Sequence, residues 1–349
     1  EWVSRPVMQV VGRASNRVFV GLPLCRNKDY PELNVQFTIN VMKAAQVIRM
    51  FPGFMKGIVG ELLTSTPAST RCSIKHLAPI IEYCLKQREK HSDEWPGKPA
   101  SALLCGSLID EAPNDKQRSV EGLTQCILTM NFAAIHTSSN SFTHALLHLA
   151  AHPDTPGPDQ DRTSATIAPM REEAEHVIES DGWTKLSIQN MRNIDSFLKE
   201  SMRFNGLETV PSMTRKALVD YKLSDGTVLP KGSFVSCNAL AMHRNDGVYA
   251  DASEFRPFRF ADLRDESAEE ATRHQLVSTS NEFLTFGHRR HACPGRFFAA
   301  NELKAMMAYL VLNYDIKLQD GQDRPKDLEF EAAVVPNPKA HVLFRKRQT

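Results

Sequence analysis

Cys293 stands in the string Phe286-Gly287-His288-Arg289-Arg290-His291-Ala292-Cys293-Pro294-Gly295-Arg296, after which apolar residues recur at helical spacing through Ala299, Leu303, Met306, Met307 and Leu310. The pattern predicts a cysteine at a helix N-terminus. There the helix dipole and unpaired backbone N–H groups favour a thiolate, and Pro294 supplies a preorganised first-turn residue without the donor it would not need. A thiolate held in that way is a good ligand for iron. On these residues alone two plainer readings stand beside it. One is a buried structural cysteine. The other is zinc held by His288, His291 and Cys293, for which no fourth ligand follows at a usual spacing.

Two further groups place chemistry on helical sequence. In Phe197-Leu198-Lys199-Glu200-Ser201-Met202-Arg203, Glu200 and Arg203 are spaced to share one helical face and form a charged pair. Taken alone, such a pair is usually a solvated surface contact of little worth. In Ala133-Ala134-Ile135-His136-Thr137-Ser138, the Thr137 hydroxyl is spaced to bond back to the carbonyl of Ala133, which bends a helix and opens a groove. The plain alternative is a tolerated helical hydroxyl.

The elements that must position these groups are mainly helical. Apolar residues recur at helical spacing over residues 7–90, with breaks at Gly21-Leu22-Pro23 and Pro52-Gly53. Residues 92–117 are polar, contain Pro96, Pro99 and Pro113, and read as a surface connection. The longest helical pattern runs over residues 119–152 and is stopped by Pro153. Residues 154–169, rich in Pro, Asp, Ser and Thr, read as a mobile loop, and helical sequence resumes at Met170. Beyond Gly206, Ala217, Val219, Tyr221 and Leu223 alternate as in a strand, Ser224-Asp225-Gly226 reads as a turn, and residues 227–229 return alongside. The fold class expected is mainly α with a small β region, in one domain over residues 1–349.

Taken together, the motifs resemble those of the cytochrome P-450 family, from Asn16-Arg17-Val18-Phe19-Val20-Gly21 to the C-terminal strands, and most closely fungal members related to ent-kaurene oxidase. The resemblance implies that Cys293 is the thiolate ligand of a haem b iron. Phe286 would pack over the ligand side of the macrocycle, and Arg290 and His291 would meet acidic groups at its edge. Phe255-Arg256-Pro257-Phe258-Arg259-Phe260 matches the segment whose arginine, here Arg259, completes a triad with Glu200 and Arg203. Three buried charges must be fully hydrogen-bonded, so the triad's expected role is to fix the loop that presents Cys293. Arg215 resembles an arginine that meets a haem propionate, and Ala133 and Ala134 suit a flat macrocycle lying against the long helix. Thr137 would serve proton delivery, with His136 in place of the family's usual acidic residue. Substrate contacts are expected at Phe132, Val210, Pro211, Met213, Val334 and Val335.

By the same resemblance the activity is oxidation of a lipophilic small molecule (terpenoid, steroid or similar metabolite) by O2, with electrons from NADPH–cytochrome P-450 reductase at the cytoplasmic face of the endoplasmic reticulum. The alternatives are a haem-binding or inactive fragment, and a haem-thiolate isomerase or dehydratase. The sequence opens without Met and runs straight into helical sequence, so an N-terminal portion with a membrane anchor is expected to be missing. Position 289 is arginine where the family usually has glycine. If the backbone there is left-handed, Arg289→Gly relieves strain; if the loop has relaxed to suit arginine, glycine only adds unfolded-state entropy.

Composition adds exclusions. With 42 Lys and Arg against 41 Asp and Glu, the charge of +1 offers no argument for nucleic acid as a partner. Seven cysteines without Cys-x-x-Cys pairs do not read as a secreted disulfide framework. No stretch is apolar for long enough to cross a bilayer, so a membrane contact is expected only through the missing anchor.

Overall fold

The computed structural model describes residues 3–91, 106–152, 166–207, 211–330 and 333–348. The chain packs as two units, one over Arg5–Ser139 and the other from Asn140 onward together with the residues before Arg5, with the boundary inside one long helix.

In the first unit, helix Ser4–Phe19 buries Val7, Val11, Ser15 and Phe19, four apart on one face. Gly21, at φ +68°, ends it: its N–H and that of Val20 both donate to the Asn16 carbonyl, a left-handed stop that glycine takes without a steric penalty. Helices Asp29–Arg49, Lys56–Leu62 and Thr66–His91 follow. The breaks fall where the sequence places them, with one more between Leu62 and Thr66. Phe19, Tyr30, Leu77, Ile81, Ile109, Leu123 and Ile127 form the core of this unit, and they close over the N-terminal part of the long helix Val120–Ala151.

The second unit is built on helices Ile167–Asp181, Arg192–Phe204 and Arg296–Asn313, which pack on one another. Residues 194–203 of Arg192–Phe204 are all buried, including the charged Asp195, Lys199, Glu200 and Arg203. The Glu173 carboxylate caps it, accepting from the N–H groups of Arg192, Asn193 and Ile194 at 2.6, 2.8 and 3.1 Å. The described strands form four antiparallel pairs: Pro211–Lys216 with Phe234–Asn238, Tyr221–Lys222 with Val228–Leu229, Tyr314–Lys317 with Leu343–Lys346, and Leu328–Phe330 with Ala333–Val335. Among the described residues no helix is long and apolar enough to cross a membrane.

Two expectations are corrected. Residues 167–169 are the first turn of helix Ile167–Asp181, not loop: first-turn N–H groups have no intrahelical acceptor, so Pro169 costs nothing there. Thr166, buried, precedes that helix; residues 154–165 of the expected loop lie outside the described residues, as does most of the connection over 92–117. Second, the strand after Gly206 is Pro211–Lys216, Ala217 still exchanges bonds with Ser233 and Gly232, and residues 218–220 leave the ladder, with Leu218 and Val219 exposed. Asp220 accepts from the Lys231 N–H at 2.7 Å and holds a turn there. The expected hairpin begins only at Tyr221, around Gly226 at φ +91°.

Candidate active site

Glu200 and Arg203 are buried, not solvated, and Arg259 joins them. Arg203 donates to the Glu200 carboxylate from Nε and Nη2, both at 2.7 Å, and Arg259 Nε donates to Oε1 at 3.2 Å. All five N–H donors of Arg203 are used, the others meeting the carbonyls of His243, Ala252 and Glu254. Arg259 meets the carbonyls of Ala250, Asp251 and Glu254, and the Arg256 N–H donates to Glu200. Burying three charges is tolerable only with this degree of satisfaction. Ser196 seats the arginine: its hydroxyl donates to the Pro257 carbonyl and accepts from the N–H groups of Phe260 and Ala261.

The triad reaches the cysteine loop through His243. Its carbonyl accepts from Arg203, and its Nε2 accepts from the Leu284 N–H at 3.1 Å. Burial, with Arg203 and Arg244 nearby, pushes its pKa down to about 4, so at neutral pH the ring is uncharged and free to accept. The Leu284 carbonyl in turn accepts from Gly287 at 2.8 Å, and the Cys293 N–H closes the loop on the Phe286 carbonyl at 2.7 Å. Gly287 is required twice over. Its φ is +68°, and a Cβ there would stand 3.0 Å from the His291 carbonyl oxygen. Arg289 keeps the left-handed backbone as well, at φ +52°, which costs a non-glycine residue about 1–2 kcal/mol.

The helix that follows begins at Arg296, capped by Gly295, so Cys293 and Pro294 lie in the turn before it. This corrects the expected position by one turn, because Pro294-Gly295 close a tight turn instead of opening the helix. The Cys293 carbonyl accepts from the Arg296 N–H at 3.4 Å and from Arg296 Nη1 at 2.9 Å. The sulfur stays beside the helix start, 3.9 Å from where a Cβ on Gly295 would stand, and the residue is exposed.

A cavity of about 610 Å³ opens beside this loop, lined by Met213, Arg215, Val235, Arg289, Arg290 and His291 among others. Four residues expected from sequence thus meet at one place: Met213, Arg215, Arg290 and His291. Met213, at φ +53°, sits in the irregularity of the strand pair that carries Arg215. Among the described residues Arg215 bonds only the neighbouring Thr214 carbonyl, Arg290 Nε meets His291 Nε2 at 3.1 Å, and no acidic side chain lines the space. An exposed thiol on a pinned loop, with a cationic cavity beside it, fits haem: a sulfur for the iron and guanidiniums for its two carboxylates.

The family model for cytochrome P-450 matches residues 1–344. The chain belongs to the cytochrome P-450 family. It is 46% identical over 344 residues to cytochrome P-450 monooxygenase 151 of Postia placenta (strain ATCC 44394 / Madison 698-R), covering 98% of this chain and 66% of the relative. It is 38% identical to cytochrome P-450 monooxygenase CYP512U6 of Ganoderma lucidum, covering 98% and 64%. The chain therefore spans about two thirds of the length of these relatives. Among solved structures it is similar to retinoic acid bound cyanobacterial CYP120A1, with a TM-score of 0.69 and 20% identity over 99% of this chain and 69% of that one. Haem iron is the family's cofactor.

In the first unit of this P-450 chain, Thr137 Oγ1 donates to the Ala133 carbonyl at 2.6 Å, the back-bond that its spacing predicts. Ala133 and Thr137 share an exposed stripe, whereas Ala134, about 100° away from Ala133 around the helix, packs on the apolar core. Phe132 is half-buried. His136 is half-buried too, facing the Val35 backbone, and burial lowers its pKa; its Nε2 is buried without a hydrogen-bond partner among the described residues. It does not point to solvent. Val334 and Val335 lie in the hairpin with Leu328–Phe330, and the Val334 N–H donates to the Leu207 carbonyl at 3.0 Å. Pro211 opens its strand opposite Asn238, and Val210 lies outside the described residues.

Proposed function

We propose that this chain is the haem-binding part of a haem-thiolate monooxygenase that oxidises a lipophilic small molecule. The observation that carries the reading is Cys293: an exposed thiol at the end of a loop whose amide is fixed to Phe286 and whose flank is a cationic cavity. When bound, thiolate-ligated haem iron activates dioxygen for transfer of one oxygen atom to a C–H bond, using electrons from NADPH–cytochrome P-450 reductase. The chain's own residues do the rest. The triad, through His243, holds the loop in register; Arg215, Arg290 and His291 orient the macrocycle by its carboxylates. Both units then belong to one catalytic domain, supported by a family match that spans them.

Thr137 prepares the proton supply. Its hydrogen is committed to Ala133, so the oxygen presents lone pairs that hold and orient a proton-donating water. His136, uncharged at neutral pH, is the other candidate for that supply. Phe132, Val210, Pro211, Met213, Val334 and Val335 would frame the substrate. The substrate expected is a terpenoid, steroid or similar secondary metabolite, acted on by an ent-kaurene oxidase-like enzyme at the cytoplasmic face of the endoplasmic reticulum.

The reduced, carbon-monoxide-bound spectrum of the haem-loaded chain tests the reading, because thiolate ligation gives a red-shifted band that histidine ligation does not. Absence of that band sinks the haem-thiolate assignment. Thr137→Ala is expected to leave the band intact while separating oxygen consumption from product formation, read as the ratio of product formed to oxygen consumed. Unchanged coupling would move the proton route to His136. An isomerase or dehydratase would turn over without oxygen and lose nothing from the substitution.

A further inference from the structure

We propose that Arg289 is a carboxylate-binding residue of the haem site, and that the left-handed backbone at this position is retained because it delivers the guanidinium to the cavity. The proposal rests on the haem-thiolate reading and goes beyond it at a position where the family usually has glycine.

Three observations converge. Arg289 sits at φ +52° in an exposed loop, a conformation that a non-glycine side chain keeps only when its surroundings hold it there. The residue lines the same cavity as Arg215, Arg290 and His291, which brings three guanidiniums to one space. Among the described residues none of the three meets a carboxylate. Elsewhere in the same unit arginines find acids readily, as Arg264 does with Asp195, Arg324 with Asp327 and Arg345 with Asp315.

Three unneutralised cations around one cavity repel one another unless an anion enters, and their number suits a ligand with more than one negative group. A guanidinium also presents paired N–H donors that match a carboxylate in two bonds, which an ammonium cannot do. Haem carries two carboxylates. Arg215 on the strand and Arg289 and Arg290 on the loop offer donors from two elements, so a second carboxylate need not compete for the first one's partner.

The test separates charge from strain. Arg289→Gln keeps the backbone penalty and removes the cation; Arg289→Gly removes both. Each haem-loaded variant is mixed with excess apomyoglobin and the rate of haem loss is compared with the parent, then measured again on chains loaded with haem dimethyl ester, whose carboxylates are esterified. Both variants are expected to lose haem about tenfold faster than the parent, the worth of one charge-assisted hydrogen bond. The dimethyl ester should leave all three chains at one rate, and with the ester bound only Arg289→Gly should raise the thermal midpoint. Parent-rate haem loss from Arg289→Gln overturns the proposal, as does equal acceleration for haem and its ester. If the parent itself lacks the thiolate band, the haem-thiolate reading falls and this proposal with it. If the band is present and Arg289→Gln behaves as the parent, only the proposal falls.

Discussion

Cys293→Ala is expected to abolish the red-shifted carbon-monoxide band while leaving the chain folded. The thiol makes no hydrogen bond among the described residues, and the tie that shapes the loop, Cys293 N–H to the Phe286 carbonyl, is a backbone bond that alanine keeps. Its effect on stability without haem should therefore stay within about 0.5 kcal/mol, as for an exposed site away from special features. Cys237 provides the control, because it is exposed on strand Phe234–Asn238 and also lines the cavity. Cys237→Ala should keep the full band. A band that survives Cys293→Ala and disappears with Cys237→Ala would reassign the ligand.

Glu200→Ala and Arg203→Ala should each cost about 3–5 kcal/mol, the penalty for leaving a buried charge without its partner. Glu200→Ala leaves two guanidiniums without their counter-charge and strands the Arg256 amide; Arg203→Ala removes two of the carboxylate's four donors and strands the carbonyls of His243 and Ala252, while the Glu254 carbonyl keeps Arg259. Against a typical folding stability of about 5–15 kcal/mol, either loss removes a large share of the margin. Soluble yield and haem content should fall together, while substrate preference in the surviving protein stays as in the parent. Lys317→Ala, which breaks the exposed pair with Asp320, sets the baseline at under about 1 kcal/mol. Normal haem loading in both triad variants would remove the triad's role in fixing the cysteine loop.

What could be read from sequence was what short spacing encodes. Glu200 and Arg203 are one helical turn apart, Thr137 and Ala133 likewise, and the 3.6-residue period with the Pro153 stop located Val120–Ala151 to within a residue at either end. His243 and Ser196 went unnoticed because their meaning depends on partners far along the chain: Leu284 for one, Pro257, Phe260 and Ala261 for the other. A lone histidine or serine carries no periodic signal. The strand Pro211–Lys216 was missed because its register is broken between Ser212 and Arg215, which spoils the alternation by which strands are recognised. His136 was legible as a departure, but not as a buried side chain facing Val35, since that depends on how a neighbouring helix packs.

The linear order of the triad's partners has a consequence for synthesis. The carbonyls that receive Arg203 and Arg259 belong to residues 243, 250, 251, 252 and 254, and all of them, like Arg259, precede the cysteine loop. On a ribosome adding about 5–20 residues each second, this clamp has all its parts seconds before Cys293 has been translated. The Cys293 loop and helix Arg296–Asn313, which packs on the helix that carries Glu200 and Arg203, emerge after it, so the proposed cofactor site is completed only late in synthesis. A nascent chain carrying Glu200→Ala would meet its defect while still tethered, so slower translation or extra chaperone should recover soluble chain without recovering its haem.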